Sequence, residues 1–548
     1  MSFGATKLLA ASGGEDAYSI DQSIMLDQGD DAYLHFTPSS SGSRTTFTYS
    51  VWMKSCGLGS DGYLPIFGYK AGSESGYYQN DFFITGNTLR WFGNLTGSSS
   101  LITNRVFRDQ SSWYHIVFAV DTTQSTAANR MKFYVNGSQI TSFSTETYPA
   151  EDEALYIGMA SKALEIGRLQ AAYTANAYFA EAYFIENSQL TPSSFGETDS
   201  VTGQWIPIEY TGSYGGNNSF YLKFVSGAIG TDSSGEGNNF TAVNLGNGDV
   251  LLDTPTNNFP IVNALEPYNT TISTFRQGNL NIKASAYSSG NYGNNFSSFI
   301  LPTSGKWYVE MLTGVQAGSG NVAQLGITKQ GPEGIVIPNQ AQLAVTFSST
   351  TGLAFDTYAN TADLYDGGSS VDQDTGLTAT SYVTALAVDI DNDKVWVGYD
   401  GGSSITWLNS GNPATGANGA AHTFDSDSGI YMAVATSSDN ANRSYIIMNF
   451  GQNGTFSNYK TAGGNADGAG IGNFFYSPPS GFKALCTKNL PTPTIKLPGS
   501  HFNPVIYTGS DNDAVSQSVT GVGFEPDLVI IKKRNATASP AWWDQVRG

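Results

Sequence analysis

Apolar and polar residues alternate with a period of two along most of the chain, the pattern of strands that bury one face. The segment TFTYSVWMKS, residues 46–55, places four apolar side chains on one face: Phe47, Tyr49, Val51 and Met53. WYHIVFAVD and MKFYVNGSQI alternate in the same way, so Phe118 and Phe133 are expected to be buried together. Asn136-Gly137 supplies a hairpin turn. The pattern predicts an all-β protein with almost no long helix.

Strand patterns fall into two series, separated by a stretch rich in Gly, Ser and Asn. Each series contains an Ala-Val-Asp strand end followed by a return strand, interpreted as scaffold hairpins. In the second series, Val388 and Val397 are expected in the core. The predicted organisation is two tandem β-sandwiches with flanking parts: an N-terminal segment (1–22), a first sandwich (23–225), a linker (226–274), a second sandwich (275–487), and a Pro-rich connector with a partial β module (488–548).

Composition agrees with short strands joined by tight turns. The 548 residues include 62 Gly, 30 Tyr and 31 Phe, and only 13% are charged, against about 25% in average domains. The net charge of −20 repels phosphate backbones and anionic lipid, so neither nucleic acid nor membrane is expected as a partner. No apolar run reaches the roughly 20 residues of a membrane span, and the N-terminus lacks a signal-peptide core. Cys56 and Cys486 alone form neither a disulfide framework nor a zinc site.

No catalytic constellation is evident. A glycosidase needs two carboxylates in one cleft, and the one-strand spacing Glu-x-Asp-x-x-Glu is absent. None of the four histidines (His35, His115, His422 and His501) stands near a recognisable nucleophile. His115 is interpreted as a hydrogen-bonded histidine within a sheet. The chain is therefore predicted not to be an enzyme.

No cofactor is predicted, although calcium remains open. The acidic run Glu151-Asp152-Glu153 is interpreted first as a solvated turn and second as a calcium site using Asp152. Asp30, Asp31 and Asp109 are further calcium candidates, but no spacing distinguishes them.

Carbohydrate recognition uses exposed aromatic rings surrounded by polar and Gly residues. ESGYYQNDFF offers Tyr77 and Tyr78, and TLRWFGN offers Trp91. Alternation places Trp52 on the polar face of its strand, where it is either roofed by a loop or open as a stacking platform. These four residues are the candidate carbohydrate site.

Motifs in both regions resemble known families. DDAYLHF, FTYSVWMKS, WYHIVFAVDTT, FYVNG and LYIG resemble a laminin-G-like, concanavalin A-type lectin/glucanase domain of the kind found in phage structural proteins. GKWYVEM, LGIT, AVDIDNDKVWVGYDGG, WLNSGNPATGAN and MNFGQNGTF resemble the SPRY (B30.2-like) domain. DSSGEGNNFTAVNL, DTPTNNFP, PPSGFKALCTKNLP and FEPDLVIIKKR are similar to phrases in tail-fibre-like proteins of tailed phages, including phages of marine bacteria. In such relatives the last module continues past the final VRG.

The resemblance implies a virion component on the phage tail or capsid surface, with residues 1–22 available for virion attachment. The first interpretation is a non-catalytic tail-fibre or adhesin subunit that binds a host-surface glycan or receptor. A purely architectural capsid or tail protein is the alternative, and a glycan-degrading enzyme is a distant third. Other virion proteins are expected partners. A homo-oligomer is also expected, trimeric if the protein is a fibre.

Overall fold

The computed structural model describes residues 18–69, 80–93, 99–169, 172–265, 273–284, 293–315, 322–329, 353–356, 361–366, 369–375, 381–424, 430–437, 444–510, 516–534 and 536–547. Within these ranges almost all regular structure is strand, which confirms the all-β prediction. The one α-helix among them is a single turn, α1 (Ala127–Arg130). Short 3-10 turns lie at Gln28–Asp30, Pro192–Ser194, Asn247–Asp249, Leu408–Ser410, Thr487–Asn489 and Pro498–Ser500. No helix in these ranges is long and apolar enough to cross a bilayer.

Twenty strands build the first sandwich within the described residues. They are β1 (Ser23–Leu26), β2 (Tyr33–Phe36), β3 (Thr46–Ser55), β4 (Tyr63–Tyr69), β5 (Asp81–Thr85), β6 (Thr88–Phe92), β7 (Ser100–Val106), β8 (Trp113–Asp121), β9 (Met131–Val135), β10 (Ser138–Ile140), β11 (Phe143–Thr147), β12 (Leu164–Ile166), β13 (Arg168–Leu169), β14 (Tyr173–Thr174), β15 (Ala177–Glu186), β16 (Gly196–Thr198), β17 (Trp205–Pro207), β18 (Phe220–Leu222), β19 (Thr241–Val243) and β20 (Val250–Leu251). Sheet A has the order β10-β9-β8-β3-β15-β1-β20, with β18 also pairing with β15. Sheet B has the order β11-β7-β6-β5-β4-β12-β2-β19. The pairs β13-β14 and β16-β17 form small ribbons.

The core of the first sandwich lies between sheets A and B. Phe118 and Phe133 are both fully buried there, with ring centroids 5.2 Å apart in an edge-to-face arrangement. Phe82 of sheet B stacks on Phe118 at 3.9 Å. The predicted burial of Phe118 with Phe133 is confirmed. Because a shift of one residue would turn every side chain to the other face, the strand register inferred from the sequence is correct here.

The outer face of sheet A is also buried, because the chain folds back over it. Val117, Tyr183 and Tyr221 form an apolar cluster on this face with Phe195, which belongs to the segment 190–214. Trp205 of the same segment packs beside His115 and donates its Nε1–H to His115 Nδ1 at 3.0 Å. Sheet A is therefore covered on both sides.

The predicted linker, residues 226–274, belongs in part to the first sandwich. β19 pairs with β2 in sheet B, and β20 pairs with β1 in sheet A. The composition rich in Gly, Ser and Asn reflects tight turns rather than a free spacer. The Asp232 carboxylate, for example, accepts backbone hydrogen bonds from Tyr221, Ser234 and Asn238. The linker prediction is corrected accordingly.

Residues 252–262 form a seam between the two sandwiches. Lys54 of β3 is fully buried, and its ammonium group lies 2.7 Å from the Asp253 carboxylate. The same group donates to Asn258 Oδ1 and to the Phe259 carbonyl, both at 2.8 Å. Trp113 Nε1 donates to the other carboxylate oxygen of Asp253 at 3.0 Å. A buried lysine is stable only when its charge is matched and its donors are satisfied, and this seam provides both.

The seam also contacts the second sandwich through reciprocal backbone and side-chain bonds. Asn258 N donates to Thr487 Oγ1, and Thr487 N donates to the Asn258 carbonyl, both at 2.9 Å. Gln452 Nε2 donates to the Pro260 carbonyl at 2.9 Å. The two sandwiches share one continuous apolar cluster that includes Trp52 of the first and Trp307 of the second.

The described residues of the second sandwich form two sheets. Its strands in the described ranges are β21 (Ser273–Arg276), β22 (Asn281–Ala284), β23 (Gly293–Leu301), β24 (Lys306–Val315), β25 (Val322–Lys329), β26 (Leu353–Asp356), β27 (Thr361–Asp366), β28 (Ser369–Thr375), β29 (Ser381–Asp389), β30 (Lys394–Asp400), β31 (Ile405–Trp407), β32 (Ala420–Ala421), β33 (Ile430–Ser437), β34 (Ser444–Asn449) and β35 (Lys483–Ala484). Sheet C has the order β21-β22-β34-β24-β29-β30-β31, joined by β32 and β35, and sheet D has the order β23-β33-β25-β26-β27-β28. Val388 and Val397 are buried, as predicted.

The described residues of the C-terminal part contain one ribbon, β36 (Leu528–Ile531) paired with β37 (Ala541–Asp544). The hydrogen bonds described for residues 501–547 close within the C-terminal segment itself; Asn503 Nδ2, for example, donates to the Gly521 and Val522 carbonyls. Side chains on both faces of the ribbon are exposed or half-exposed.

Candidate functional site

The outer face of sheet B carries a row of charged residues on neighbouring strands. Gly68 of β4 pairs with Glu165 of β12, which pairs in turn with His35 of β2. Asp81 of β5 reaches the same row from the other side, because its Oδ1 lies 1.9 Å from the position that a Cβ at Gly68 would occupy. Two carboxylates on different strands therefore flank a glycine. A motif search along one strand misses this arrangement, since the two residues are 84 positions apart in the sequence.

Both carboxylates lie deep in this face. Asp81 is 4% exposed and Glu165 is 1% exposed. The Arg168 guanidinium lies 3.6 Å from Glu165 Oε1 and 4.2 Å from the centre of the Tyr33 ring. Arg168 thus neutralises part of the negative charge and forms a cation–π contact at the margin of the row.

Aromatic side chains form a stripe beside the charged row. The rings of Tyr63 and Tyr173 lie 4.7 Å apart, Tyr63 lies 5.8 Å from Phe83, and Phe83 lies 5.6 Å from Phe92. Tyr63, Tyr173 and Phe92 are partly exposed, whereas Phe83 is buried. Aromatic faces beside charged and polar groups are the components from which sugar-binding surfaces are built.

The structure corrects the assignment of Trp91. Trp91 is fully buried, because alternation along TLRWF turns Leu89 and Trp91 inward and leaves Arg90 facing outward. Its ring also fills the space above Gly93, where a Cβ would lie 2.3 Å from Trp91 Cη2. Trp91 is a core residue and cannot stack on a ligand.

Trp52 is roofed rather than open. It is 4% exposed and stacks on His115 at 4.7 Å, with Trp205 on the opposite side of His115 at 6.0 Å. Its assignment to a carbohydrate site is therefore corrected as well. Tyr77 and Tyr78 lie outside the described residues; in the sequence they belong to the connection between β4 and β5, two strands of sheet B.

The four calcium candidates are not brought together. Asp30 and Asp31 end a 3-10 turn, and Asp152 lies in an exposed turn with positive φ. Asp109 accepts hydrogen bonds from the backbone N–H and hydroxyl of Ser111, both at 2.8 Å. Within the described ranges, no three His, Cys, Asp or Glu side chains form a group that could hold a metal ion.

Other buried ionisable groups have structural partners. His115 is fully buried, with Nε2 2.8 Å from Ser50 Oγ, and burial lowers its pKa to about 3. This agrees with its interpretation as a hydrogen-bonded sheet histidine.

Glu310 of β24 accepts hydrogen bonds from the backbone N–H groups of Tyr476 and Phe475 at 2.7 and 2.8 Å, while burial raises its pKa to about 7. Glu181 accepts from the hydroxyls of Tyr18 and Tyr221.

Comparisons with known proteins agree with the fold. Residues 27–176 match the family model for the concanavalin A-like lectin/glucanases superfamily, and residues 497–548 match a domain of unknown function, DUF7483. No curated protein matches the chain.

Solved structures with similar folds include the TRIM65 PSpry domain (9% identity, 34% of this chain, 89% of that chain, TM-score 0.26). A heptameric SAP-like pentraxin from Limulus polyphemus also matches (15% identity, 36% of this chain, 95% of that chain, TM-score 0.25). Lectin II from Ulex europaeus is a third (8% identity, 31% of this chain, 86% of that chain, TM-score 0.22). The likeness to the concanavalin A-like lectin/glucanases superfamily rests on residues 27–176, which lie in the first sandwich.

Proposed function

We propose that the protein is a non-catalytic glycan-binding protein whose site is the outer face of sheet B. The observation that carries the proposal is the aromatic stripe of Tyr63, Phe92 and Tyr173 beside the row of Asp81, Glu165 and His35. In the part of the chain that the structure describes, residues 190–214 and the seam cover the outer face of sheet A, whereas Tyr63, Phe92 and Tyr173 on sheet B are partly exposed. The match of residues 27–176 to a lectin-containing superfamily supports the same function.

A single site is expected to bind weakly. Half-exposed rings on a sheet offer few buried contacts, and sugar hydroxyls must lose water on binding, so the dissociation constant is expected at about 0.1–1 mM. Several copies on one particle would raise the avidity by about 10²–10⁴-fold. Tyr77 and Tyr78 remain proposed contributors, because their segment joins two strands of this sheet.

The experiment is a glycan array followed by titration calorimetry with the best ligand. Tyr173→Ala and the double change Tyr77→Ala, Tyr78→Ala are expected to weaken binding at least fivefold, about 1 kcal/mol each. Tyr210→Ala is the matched control, since Tyr210 is also half-buried but packs on the sheet A side. If the control loses as much glycan affinity as the sheet B variants, or if both sheet B variants bind glycan unchanged, the site is not on sheet B.

Glycoside hydrolysis is the second candidate, favoured by the carboxylate pair across Gly68. Asp81 and Glu165 lie on β5 and β12, which are two strands apart in sheet B, so their Cα atoms are about 10 Å apart. Because a glycine lies between them, their carboxyl groups can approach the separation of roughly 5–9.5 Å that glycosidases use. Their exposures of 4% and 1% and the Arg168 contact argue against access of either carboxylate to a substrate, and so against turnover. If the protein releases reducing sugar, and if Asp81→Asn and Glu165→Gln each abolish that release, glycoside hydrolysis would be favoured over binding without turnover.

We also propose a location on a phage virion as a tail-fibre or adhesin subunit, on the basis of the phrases shared with tail-fibre-like proteins. A purely architectural role on capsid or tail is the competing proposal. Fitting the chain into a whole-virion density map tests both: density at the end of a fibre supports adhesion, and density between capsid or tail subunits with the sheet B face covered supports the architectural role.

A further inference from the structure

The seam places the amine of a buried lysine against the side-chain amide of a buried asparagine. Lys54 is fully buried and Asn258 is 1% exposed, and Lys54 Nζ lies 2.8 Å from Asn258 Oδ1. Since a C=O bond is about 1.2 Å long, Nζ lies roughly 3–4 Å from the amide carbon Cγ. Reacting atoms held at about 3–3.5 Å are in a near-attack arrangement. The amine and the amide carbon are therefore close enough to react.

Hydrogen bonds hold the amide in the orientation that such a reaction needs. Asn258 Nδ2 donates to the Ser111 carbonyl at 2.8 Å, which leaves Oδ1 facing Lys54. The backbone of Asn258 is fixed by its two hydrogen bonds with Thr487. Because the amide is held in place before any covalent bond forms, much of the entropic cost of bringing two groups together is already met by the fold.

Asp253 stands where a proton acceptor for the amine is required. Its Oδ2 lies 2.7 Å from Lys54 Nζ, while its Oδ1 accepts hydrogen bonds from Trp113 Nε1 and the Phe259 backbone N–H. Asp253 is fully buried, and burial raises the pKa of its carboxyl group. Because burial disfavours both charged forms of the pair, transfer of a proton from Lys54 to Asp253 is easier here than in water. That transfer converts the ammonium group into a neutral amine, which is a nucleophile.

We propose that Lys54 and Asn258 become joined by an isopeptide bond, so that the seam is a self-modification site. After Nζ has passed a proton to Asp253 Oδ2, its lone pair attacks Asn258 Cγ and forms the Cγ–Nζ bond. Asp253 gives its proton to Nδ2 and takes a second proton from Nζ, the Cγ–Nδ2 bond breaks, and Nδ2 leaves as ammonia. The ammonia carries the last proton away as ammonium and restores the Asp253 carboxylate. Nothing is oxidised or reduced, and no further reactant is needed.

The surroundings keep water away from the reacting groups. The centre of the Tyr178 ring lies 5.6 Å from Lys54 Nζ, and Trp113 packs edge to face on Tyr178. Both rings belong to the apolar cluster that the two sandwiches share. Exclusion of water prevents hydrolysis of the tetrahedral intermediate, so the amine is the nucleophile that completes the reaction.

The bond ties β3 covalently to the seam. It closes the chain between residues 54 and 258, and Asn258 is also hydrogen-bonded to Thr487 of the second sandwich. A cross-link that closes a long loop stabilises the fold mainly by restricting the unfolded chain. The link lies on the sheet A side of the first sandwich, so the proposal does not depend on the glycan site of sheet B.

The test is the intact mass of the full chain, measured under denaturing conditions after purification and incubation. The chain is expected to be lighter than its sequence requires by one ammonia molecule. Trypsin cannot cleave after a modified Lys54, so the digest should contain residues 45–70 joined to residues 224–276, with fragment ions placing the link at Asn258. Lys306 is the internal control: it lies 2.8 Å from Asp389 but is 32% exposed, so it should stay unmodified and be cleaved normally.

Two variants separate the roles of the residues, with folding checked by circular dichroism. Asn258→Ala keeps the ion pair of Lys54 with Asp253 and removes the amide carbon, so it should have its full mass and be cleaved after Lys54. Asp253→Asn keeps the shape of the side chain and removes the proton acceptor, so no link to Asn258 should form.

The unmodified chain decides the proposal even if a variant does not fold. A mass equal to that of the full sequence overturns the proposal. Loss of one water molecule instead of ammonia, with Lys54 joined to Asp253, overturns it as well, because Asp253 would then be the acceptor of the amine. A link to Asn258 that persists in Asp253→Asn overturns the assignment of Asp253 as the proton acceptor.

Discussion

Sheets A and B of the first sandwich have the same alternating pattern but different outer faces. On sheet A, the outward residues Trp52 and Lys54 are buried, because residues 190–214 and the seam cover them. On sheet B, the outward residues Tyr63, Phe92 and Tyr173 remain partly exposed. Alternation therefore identifies the inner face of a strand but does not say whether the outer face meets solvent, a ligand or another part of the chain.

The largest expected effect is at the seam that covers sheet A. Asp253→Ala removes the partner of buried Lys54 and leaves an uncompensated charge, so the free energy of unfolding should fall by about 3–5 kcal/mol. Chemical denaturation with tryptophan fluorescence measures it. Glu151→Ala is the matched control, because its ion pair with Arg130 is 53% exposed on the Glu side and should change stability by less than about 1 kcal/mol. Similar losses in both variants would mean that the seam is not buried in solution.

Substitution of a core residue between the two sheets should lower the stability as much as the seam substitution does. It affects both sheets and so does not distinguish their outer faces. Phe133→Ala is expected to lower the free energy of unfolding by about 3–5 kcal/mol, since Phe133 contacts Phe118 and Phe82 in the interior. Thermal denaturation followed by calorimetry measures the loss. A cost below about 1 kcal/mol would show that the register of β9 is wrong.

The pH dependence should reveal His115 under the cover of sheet A. Its pKa is about 3 in the folded protein and about 6.5 when unfolded, so only the unfolded state gains a proton between these values. Stability should therefore fall as the pH decreases from about 6.5 towards 3, by up to about 1.4 kcal/mol per pH unit. His115→Gln should remove this part of the slope, which denaturation at several pH values measures.

Glu310 in the second sandwich should act in the opposite direction. Its pKa is raised from 4.5 to about 7 in the folded protein, so stability from this group is present at low pH and is lost as the pH rises from 4.5 to 7. Glu310→Gln should remove that loss and leave the His115 slope intact.

For the His115 prediction, an unchanged dependence of stability on pH in His115→Gln would contradict the burial of His115.

The smallest expected effect is at Gly68 on sheet B. A Cβ there would lie 1.9 Å from Asp81 Oδ1 and 3.3 Å from Asp81 Cα, so the Asp81 side chain has to move and Gly68→Ala should cost about 1–2 kcal/mol. Gly468→Ala is the control, because nothing lies within 4 Å of the position that a Cβ would occupy there. If the Asp81–Glu165 row contributes to the site, glycan affinity should fall in Gly68→Ala alone; equal affinity in both variants would separate the row from the site.

The sequence predicted the all-β class and the inward residues, because both follow from local alternation. It did not predict that Asp253 and Asn258 of the apparent linker satisfy Lys54, since that contact joins residues about 200 positions apart. The carboxylate pair across Gly68 was missed for the same reason. Trp91 was misassigned because its polar neighbours in the sequence were given more weight than its own strand alternation.

Glycan is proposed to bind the outer face of sheet B and not that of sheet A. Hydroxyl-radical footprinting with mass spectrometry, with and without the best array glycan, measures side-chain protection directly. Protection is expected at Tyr63, Phe92 and Tyr173, with Tyr210 and Tyr214 on the sheet A side unchanged. Protection confined to Tyr210 and Tyr214, or no change at Tyr63, Phe92 and Tyr173 when the glycan is bound, would contradict it.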